Sequence, residues 1–269
     1  VLAFAGVDPS GGAGLQADLL TLAAWRCHPL SVVTAVTVQD TVGVTGMQPV
    51  DPDWVDRQAR TLLADVRVRA FKAGMVGSAA NAVAIAAIAA EHPAVPFVLD
   101  PVLASGRGDT LADAEVVGAL RERLVPRATV LTPNSLEARR LAARPGEDAA
   151  ALPLDLCAER LVASGAQFVL VTGTHEPTVE VVNVLYGARG RVRADRWPRL
   201  AGSYHGSGCT LAAAVAAGLA KGASVPEAVR EAQAYAWQTL ERAYRAGRGQ
   251  SIPDRLFAVR ADSRAETGG

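Results

Sequence analysis

Cysteine is scarce in this sequence, limited to Cys27, Cys157 and Cys209. No CxxC spacing links them, so their placement proposes neither a disulfide framework nor a zinc site. The histidines His28, His92, His175 and His205 form no metal-ligating pattern, which makes zinc catalysis a poor reading. Long apolar runs are also missing: the two conspicuous stretches, Ala82 to Ala90 and Cys209 to Ala220, fall short of the roughly 20 residues that span a bilayer. The first residues, Val1 to Gly6, carry no basic leader, so a cytoplasmic protein in a reducing compartment is expected. Charge of one sign is not in excess either, with 27 basic and 27 acidic residues. No overall field would hold the chain on nucleic acid or an anionic membrane, and neither is expected as a partner. Lysine is limited to Lys72 and Lys221, the other basic side chains being arginine.

What is present is apolar material in a repeating order. Half of the 269 residues are hydrophobic and 20% are charged, enough for a sizeable core. Strand-like runs (Val1 to Ala5, Ser31 to Val38, Val66 to Lys72, Pro96 to Leu99, Thr129 to Leu131, Phe168 to Val171) alternate with helix-like ones. The helical segments are Leu15 to Trp25, Asp53 to Ala64, Ala79 to Glu91, Asp113 to Leu124, Ser135 to Ala143 and Leu156 to Ser164. That rhythm predicts an α/β chain with a mostly parallel central sheet and helices on both faces, whose ligands collect at the carboxyl ends of the strands. Val179 to Tyr186 and Arg191 to Trp197 read as a hairpin at the sheet edge. Gly208 to Lys221 and Val225 to Tyr244 read as long terminal helices. One domain over residues 1–260 is expected, with 261–269 a polar tail.

The loops carry the chemistry. Gly11-Gly12-Ala13-Gly14 lies between a strand and a helix and lets a ligand approach backbone N–H groups, although a plain turn explains it equally well. It has neither the GxxxxGK[ST] nor the GxGxxG spacing. Asp8 and Gln39 nearby offer donors and acceptors for a polar ring. His205-Gly206-Ser207-Gly208-Cys209-Thr210 opens directly into an apolar helix, where unpaired N–H groups and the helix terminus favour an anion. The same terminus is expected to stabilise the Cys209 thiolate as a proton acceptor. Asp100 ends one strand and Asn134-Ser135-Leu136-Glu137 follows another; their carboxylates suit Mg²⁺, or else cap a helix or pair with arginine. Lys72 at a strand edge suits phosphate or simply solvent, and Met75 suits packing against a heterocycle.

In this order, Gly6 to Asp18, Lys72-Ala73-Gly74-Met75, Leu99-Asp100-Pro101-Val102, Thr132-Pro133-Asn134 with Glu137, and His205 to Thr210 closely resemble the hydroxymethylpyrimidine and phosphomethylpyrimidine kinases of thiamine biosynthesis. The resemblance covers about Val1 to Arg245. It implies the ribokinase-like three-layer α/β/α fold, ATP and Mg²⁺ as cofactors, and a homodimer. It also implies transfer of the ATP γ-phosphate to the hydroxymethyl group and then to the monophosphate. Gln39, Gly6, Met75 and Asp8 would bind the pyrimidine, with Asp100 and Glu137 in the magnesium region. Asn134, Thr172 and Gly173 would lie on the nucleotide side, Gly206, Ser207, Gly208 and Cys209 would form the anion hole, Cys209 would be the base and Lys72 would lie near phosphate.

The chain departs from this family in three places, the mildest being Ser207 in the anion motif, whose small side chain preserves the turn. Thr172-Gly173-Thr174-His175 stands where Lys-Gly-Gly-His is common, removing a cation. The substrate flap reads Val102 to Asp109 in an altered form, which bears on acceptance of the phosphorylated substrate. Pyridoxal kinase is the nearest enzyme alternative, and a noncatalytic pyrimidine-phosphate sensor the alternative of another class. Gln39 favours pyrimidine, and intact Asp100, Glu137 and Cys209 favour catalysis.

Overall fold

The computed structural model describes residues 1–104, 108–109 and 111–258. Nine strands form one sheet in the order β3-β2-β1-β4-β5-β6-β7-β8-β9. They are β1 (Leu2–Val7), β2 (Leu30–Gln39), β3 (Val44–Pro49), β4 (Phe71–Ala73), β5 (Phe97–Leu99), β6 (Val130–Leu131), β7 (Phe168–Val171), β8 (Glu180–Gly187) and β9 (Gly190–Pro198). The six from β2 to β7 are mutually parallel, while β3 at one edge and β8 near the other run against them, and β9 pairs antiparallel with β8 and so returns to the common direction. The helices are α1 (Gly14–Ala24), α2 (Pro52–Asp65), α3 (Ala79–Glu91), α4 (Ala114–Ala119), α5 (Ser135–Ala142), α6 (Leu154–Ala163), α7 (Ser207–Ala220) and α8 (Val225–Glu241).

Side-chain alternation along the strands divides the core in two. Phe71, Phe97, Leu99, Leu131 and Val169 pack against α2 to α6, whereas Val98, Val130 and Leu170 pack against α1, α7 and α8. Fully burying each such side chain contributes about 1.5–3 kcal/mol. Strands buried on both faces read as unbroken apolar runs, which is why they were visible in the sequence. The helix starts follow local chemistry. Asp51 caps α2 ahead of Pro52, and Ser78 accepts from Asn81 N at 3.1 Å to open α3. Reciprocal side-chain caps open α5 (Asn134, Glu137) and α8 (Ser224, Glu227).

Three elements differ from the sequence expectation. The strand expected over Val66 to Lys72 is confined to Phe71–Ala73: residues 66–70 keep their alternation of exposure, but β1 and β5 offer pairing partners only from Phe71 onward. The helix expected over Asp113 to Leu124 changes at Leu120–Leu124 into a wider π-helical turn. β3 was not expected at all, because Gly46 and Pro49 mask a half-exposed edge strand that pairs antiparallel with β2. The β8–β9 hairpin lies at the sheet edge as expected. Residues 261–269 lie outside the described residues, as does the middle of the flap expected over Val102 to Asp109. Among the described residues, no helix is long and apolar enough to cross a membrane.

Candidate active site

Parallel strands deliver their carboxyl ends to one edge of the sheet, and nearly every residue singled out by sequence lies there. Following the strand order β2-β1-β4-β5-β6-β7, that edge presents Gln39, then Asp8, Met75, Asp100, Asn134 with Glu137, and Thr172. Residues distant in sequence thus form one line, bounded on the α1–α7 side by Gly11 to Gly14 and Gly206 to Cys209.

At the β2–β1 end, Asp8 is 2% exposed and organises the loop before α1. Its carboxylate accepts from Ser10 N (2.9 Å), Ser10 Oγ (3.0 Å) and Ala13 N (2.7 Å), and lies 2.8 Å from His205 Nε2. Burial would raise its pKa, but the hydrogen bonds from His205, Ser10 and Ala13 hold it below the usual aspartate value. The Gln39 side-chain amide lies 2.9 Å from His205 Nε2 and 3.1 Å from Thr37 Oγ1. Thr37 Oγ1 has the Val7 carbonyl at 2.8 Å and Gln39 Oε1 at 3.1 Å as acceptors for its one proton. The Gln39 Nε2 end faces His205 Nε2, which also meets Asp8, so the three side chains form one chain of contacts. Gly6 completes this end, since a Cβ on it would come 2.0 Å from Met75 Cε.

At the centre, alternation along β4 turns Lys72 toward α1 and α7 and away from solvent. Lys72 is fully buried, with Nζ 2.9 Å from both Asp18 carboxylate oxygens. The open strand edge offered as one setting for Lys72 is therefore replaced by an interior ion pair. Burial alone would lower the Lys72 pKa, but Asp18, Cys209 and Asp100 raise it above its ordinary value. Asp18 is pushed up to about 6 by burial against the pull of Lys72. The Cys209 thiol lies against the Asp100 carboxylate and the backbone of Gly14.

The expected stabilisation of the Cys209 thiolate is not found in the protein alone. Burial pushes the thiol up to about 12; Lys72 opposes this, while Asp100 and Asp18 add to it. Two buried carboxylates and desolvation outweigh one lysine and a helix terminus, whose influence fades within a turn.

Asp100 and Glu137 share the next position along the edge. Burial raises both pKa values, that of Glu137 to about 8, with the charge of Asp100 adding to the shift on Glu137. Glu137 Oε2 accepts from Asn134 N at 2.9 Å and Oε1 from Leu103 N at 3.4 Å, so it caps α5 while facing Asp100. Asp100 Oδ2 is buried with no hydrogen-bond partner among the described residues. A buried carboxylate oxygen without a donor, beside a second carboxylate, fits a hard cation. No cluster of three or more metal-ligating side chains occurs among the described residues. The donor set therefore suits Mg²⁺ completed by water and phosphate, not an all-protein cage. A Cβ on Gly208 would lie 3.8–3.9 Å from the Asp100 oxygens, so the start of α7 leaves room beside them.

At the β6–β7 end, Asn134 and Thr172 form a parallel bridge, and Ser135 N donates to the Thr172 carbonyl at 3.0 Å. Asn134 Oδ1 is taken by Leu136 N and Glu137 N, both at 3.0 Å, and Gly173 N is taken by Asn183 Oδ1 at 3.1 Å. The residues expected on the nucleotide side are thus adjacent, with much of their polar capacity committed to holding the strand ends.

Sequence reading assigned no role to Asp18, His205 or Arg255. Asp18 stands one helical turn beyond Gly14, a spacing that could have suggested it faces the loop. His205 lies inside a motif whose glycines drew the attention. Arg255 gave no signal, being an ordinary arginine far along the chain. Its guanidinium is 2% exposed and reaches both glycine loops.

Comparison with known proteins follows the same residues. The family model for phosphomethylpyrimidine kinase matches residues 8–254. A hydroxymethylpyrimidine/phosphomethylpyrimidine kinase of Mycobacterium bovis is 40% identical over 261 residues, covering 96% of this chain and 94% of that relative. Among solved structures, an ADP complex of Bacillus subtilis pyridoxal kinase superposes with a TM-score of 0.85 at 31% identity, covering 97% of this chain and 98% of the other. A phosphomethylpyrimidine kinase of Clostridium difficile gives 0.75 at 31% identity, covering 89% and 98%.

Proposed function

The chain belongs to the phosphomethylpyrimidine kinase family, a family of ribokinase-like α/β enzymes, and on that premise we propose how its site works. The enzyme phosphorylates hydroxymethylpyrimidine and phosphomethylpyrimidine from ATP in thiamine biosynthesis. The observation that carries the site assignment is the line along the strand ends, with a ring-binding end at Gln39 and Met75 and a paired-carboxylate centre at Asp100 and Glu137. Residues 1–260 act as one kinase unit, as a homodimer.

Gln39, oriented by Thr37 and His205, offers a donor and an acceptor to the aminopyrimidine edge, while Met75 and the Gly6 backbone hold its face. Asp100 and Glu137 hold Mg²⁺, which when bound neutralises charge on the transferring phosphoryl group. The N–H groups of Gly206, Ser207, Gly208 and Cys209 face the same phosphate oxygens at the start of α7. Asn134, Thr172 and Gly173 carry the nucleotide side. The substrate oxygen forms a bond to the γ-phosphorus as the bond to the leaving ADP oxygen breaks, and Cys209 as thiolate takes the hydroxyl proton. Lys72 acts from beneath, its charge favouring both the thiolate and the phosphoryl group.

Purified protein supplied with Mg-ATP and hydroxymethylpyrimidine should yield a product heavier by one phosphate in mass spectrometry, and then by two. A folded protein that transfers none across a range of pH and Mg²⁺ concentration would sink the assignment. The likeness to pyridoxal kinase supports one competing acceptor, so pyridoxal belongs in the same assay. A higher kcat/KM for pyridoxal would move the ring assignment away from pyrimidine while keeping the phosphoryl-transfer centre.

A further inference from the structure

Arg255 is a buried cation with no carboxylate within ion-pair distance among the described residues. Its Nε donates to Thr210 Oγ1 at 2.9 Å, and Nη2 to the Gly12 carbonyl at 2.5 Å and the Gly206 carbonyl at 3.5 Å. Buried charges are ordinarily neutralised by a partner of opposite sign. Here the acceptors are two backbone carbonyls and a hydroxyl, one carbonyl from each glycine loop that frames the site.

The surroundings fix the guanidinium in this position. Tyr235 Oη donates to the Arg255 carbonyl at 2.7 Å, and Asp254 N donates to the Thr239 carbonyl at 3.0 Å, tying the segment to α8. Thr210 Oγ1 donates in turn to the Gly206 carbonyl at 2.8 Å, so the Gly206 carbonyl receives both Thr210 and Arg255. Gly206 adopts φ of 78°, and a Cβ on it would come 2.8 Å from the Arg255 guanidinium and 2.1 Å from the Gly12 carbonyl. The two loops and the arginine therefore pack as one unit. Gly11 N, Gly12 N and Ala13 N are taken within the first loop by Asp8 and Ser10, so that loop serves as a brace. Turning the Gly206 carbonyl inward to Arg255 leaves the N–H groups at the start of α7 for the opposite side.

We propose that Arg255 is the positioning residue of the anion site: it clamps the Gly12 and Gly206 carbonyls so that the start of α7, braced on the first loop, presents its N–H groups to phosphate, and its charge, with no carboxylate at ion-pair distance among the described residues, draws that phosphate in. Burial lowers the Arg255 pKa, with Cys209 and Asp18 opposing that shift, which places the guanidinium within electrostatic reach of the site. The inference rests on the proposed anion hole, but not on the identity of the ring that receives phosphate.

The test uses the full chain with Arg255→Met and Arg255→Lys, titrated calorimetrically with tripolyphosphate in Mg²⁺, with hydroxymethylpyrimidine alone, and followed by thermal unfolding. Arg255→Met should bind tripolyphosphate about tenfold more weakly or worse, with pyrimidine affinity within about twofold of the parent. Arg255→Lys keeps the charge without the fork and should fall between the two. Parent-like tripolyphosphate affinity in either folded variant overturns the proposal, as does equal loss of both ligands, which marks a purely structural clamp. If Arg255→Met does not fold, Arg255→Lys decides by the same criterion. Absence of pyrimidine binding by the parent, with tripolyphosphate weakened in the variants, counts against the substrate assignment alone and supports Arg255.

Discussion

Cys209 shows how far residue type and local position can mislead. A cysteine at a helix start reads as an activated thiolate, and sequence alone gives no sight of Asp100 and Asp18 converging on it from β5 and α1. Burial among them pushes the thiol up to about 12, so near neutrality the reactive thiolate is a small fraction that grows with pH. Single-turnover phosphoryl transfer should therefore climb with pH through the neutral range, and Cys209→Ala should lower it by about 10² to 10⁴-fold while flattening that climb. A folded Cys209→Ala protein with parent rates would remove Cys209 as the base. Gln39 belongs to the same scale. Its amide is held by Thr37 on the Oε1 side and His205 on the Nε2 side and is half-buried, with capacity left for a ring. Gln39→Ala should weaken pyrimidine binding by about 1–3 kcal/mol with little change in unfolding temperature, and calorimetric titration would show it; unchanged affinity would place the ring elsewhere.

The start of α7 is where element and site meet, and two of its glycines separate fold from function. Gly206 has positive φ, and a side chain there would strike the Gly12 carbonyl, so Gly206→Ala should destabilise the protein and impair both loops. Gly208 has ordinary helical backbone, and its added Cβ would meet only the Asp100 oxygens at 3.8–3.9 Å. Gly208→Ala should hold or raise stability by up to about 1 kcal/mol through helix propensity, yet lower phosphoryl transfer by filling the space beside Asp100. Measured melting and turnover moving together in Gly208→Ala would contradict this division. At this scale the sequence was legible where burial imposes a pattern. Strands with two covered faces and helices with side-chain caps were readable, whereas β3, half-exposed and holding Gly46 and Pro49, was not. The Val66 to Ala70 stretch misled for the opposite reason, since its alternation is real but no strand lies alongside to pair with it.

Across the whole molecule, the sheet gathers Asp18, Asp100 and Glu137 onto one buried floor opposed by Lys72, with Arg255 behind the loops. The motifs announced most of these residues singly, but a net excess of buried carboxylate is a property of topology, invisible to a sequence whose formal charge is zero. That excess should appear in the pH dependence of stability. Glu137 has a folded pKa of about 8 against an ordinary value of 4.5, raised by burial and then by Asp100. Between those values the folded state binds a proton that the unfolded state has lost, so stability falls as pH rises. The contribution is fully present below about 4.5, is lost as pH climbs through about 8, and changes by at most about 1.4 kcal/mol per pH unit. Glu137→Gln cannot ionise, although it gives up one acceptor to the backbone N–H groups of Asn134 and Leu103. In metal-free buffer containing a chelator, the variant should gain stability relative to the parent steadily from about pH 5 to 8, with the difference level above that range. Adding Mg²⁺ at pH 8 should shrink the difference, because a cation held by Asp100 and Glu137 favours their ionised forms in the parent. Parallel unfolding curves for parent and variant across this range would show that Glu137 is not held protonated by the fold, and a difference insensitive to Mg²⁺ would take Glu137 out of the metal-binding pair.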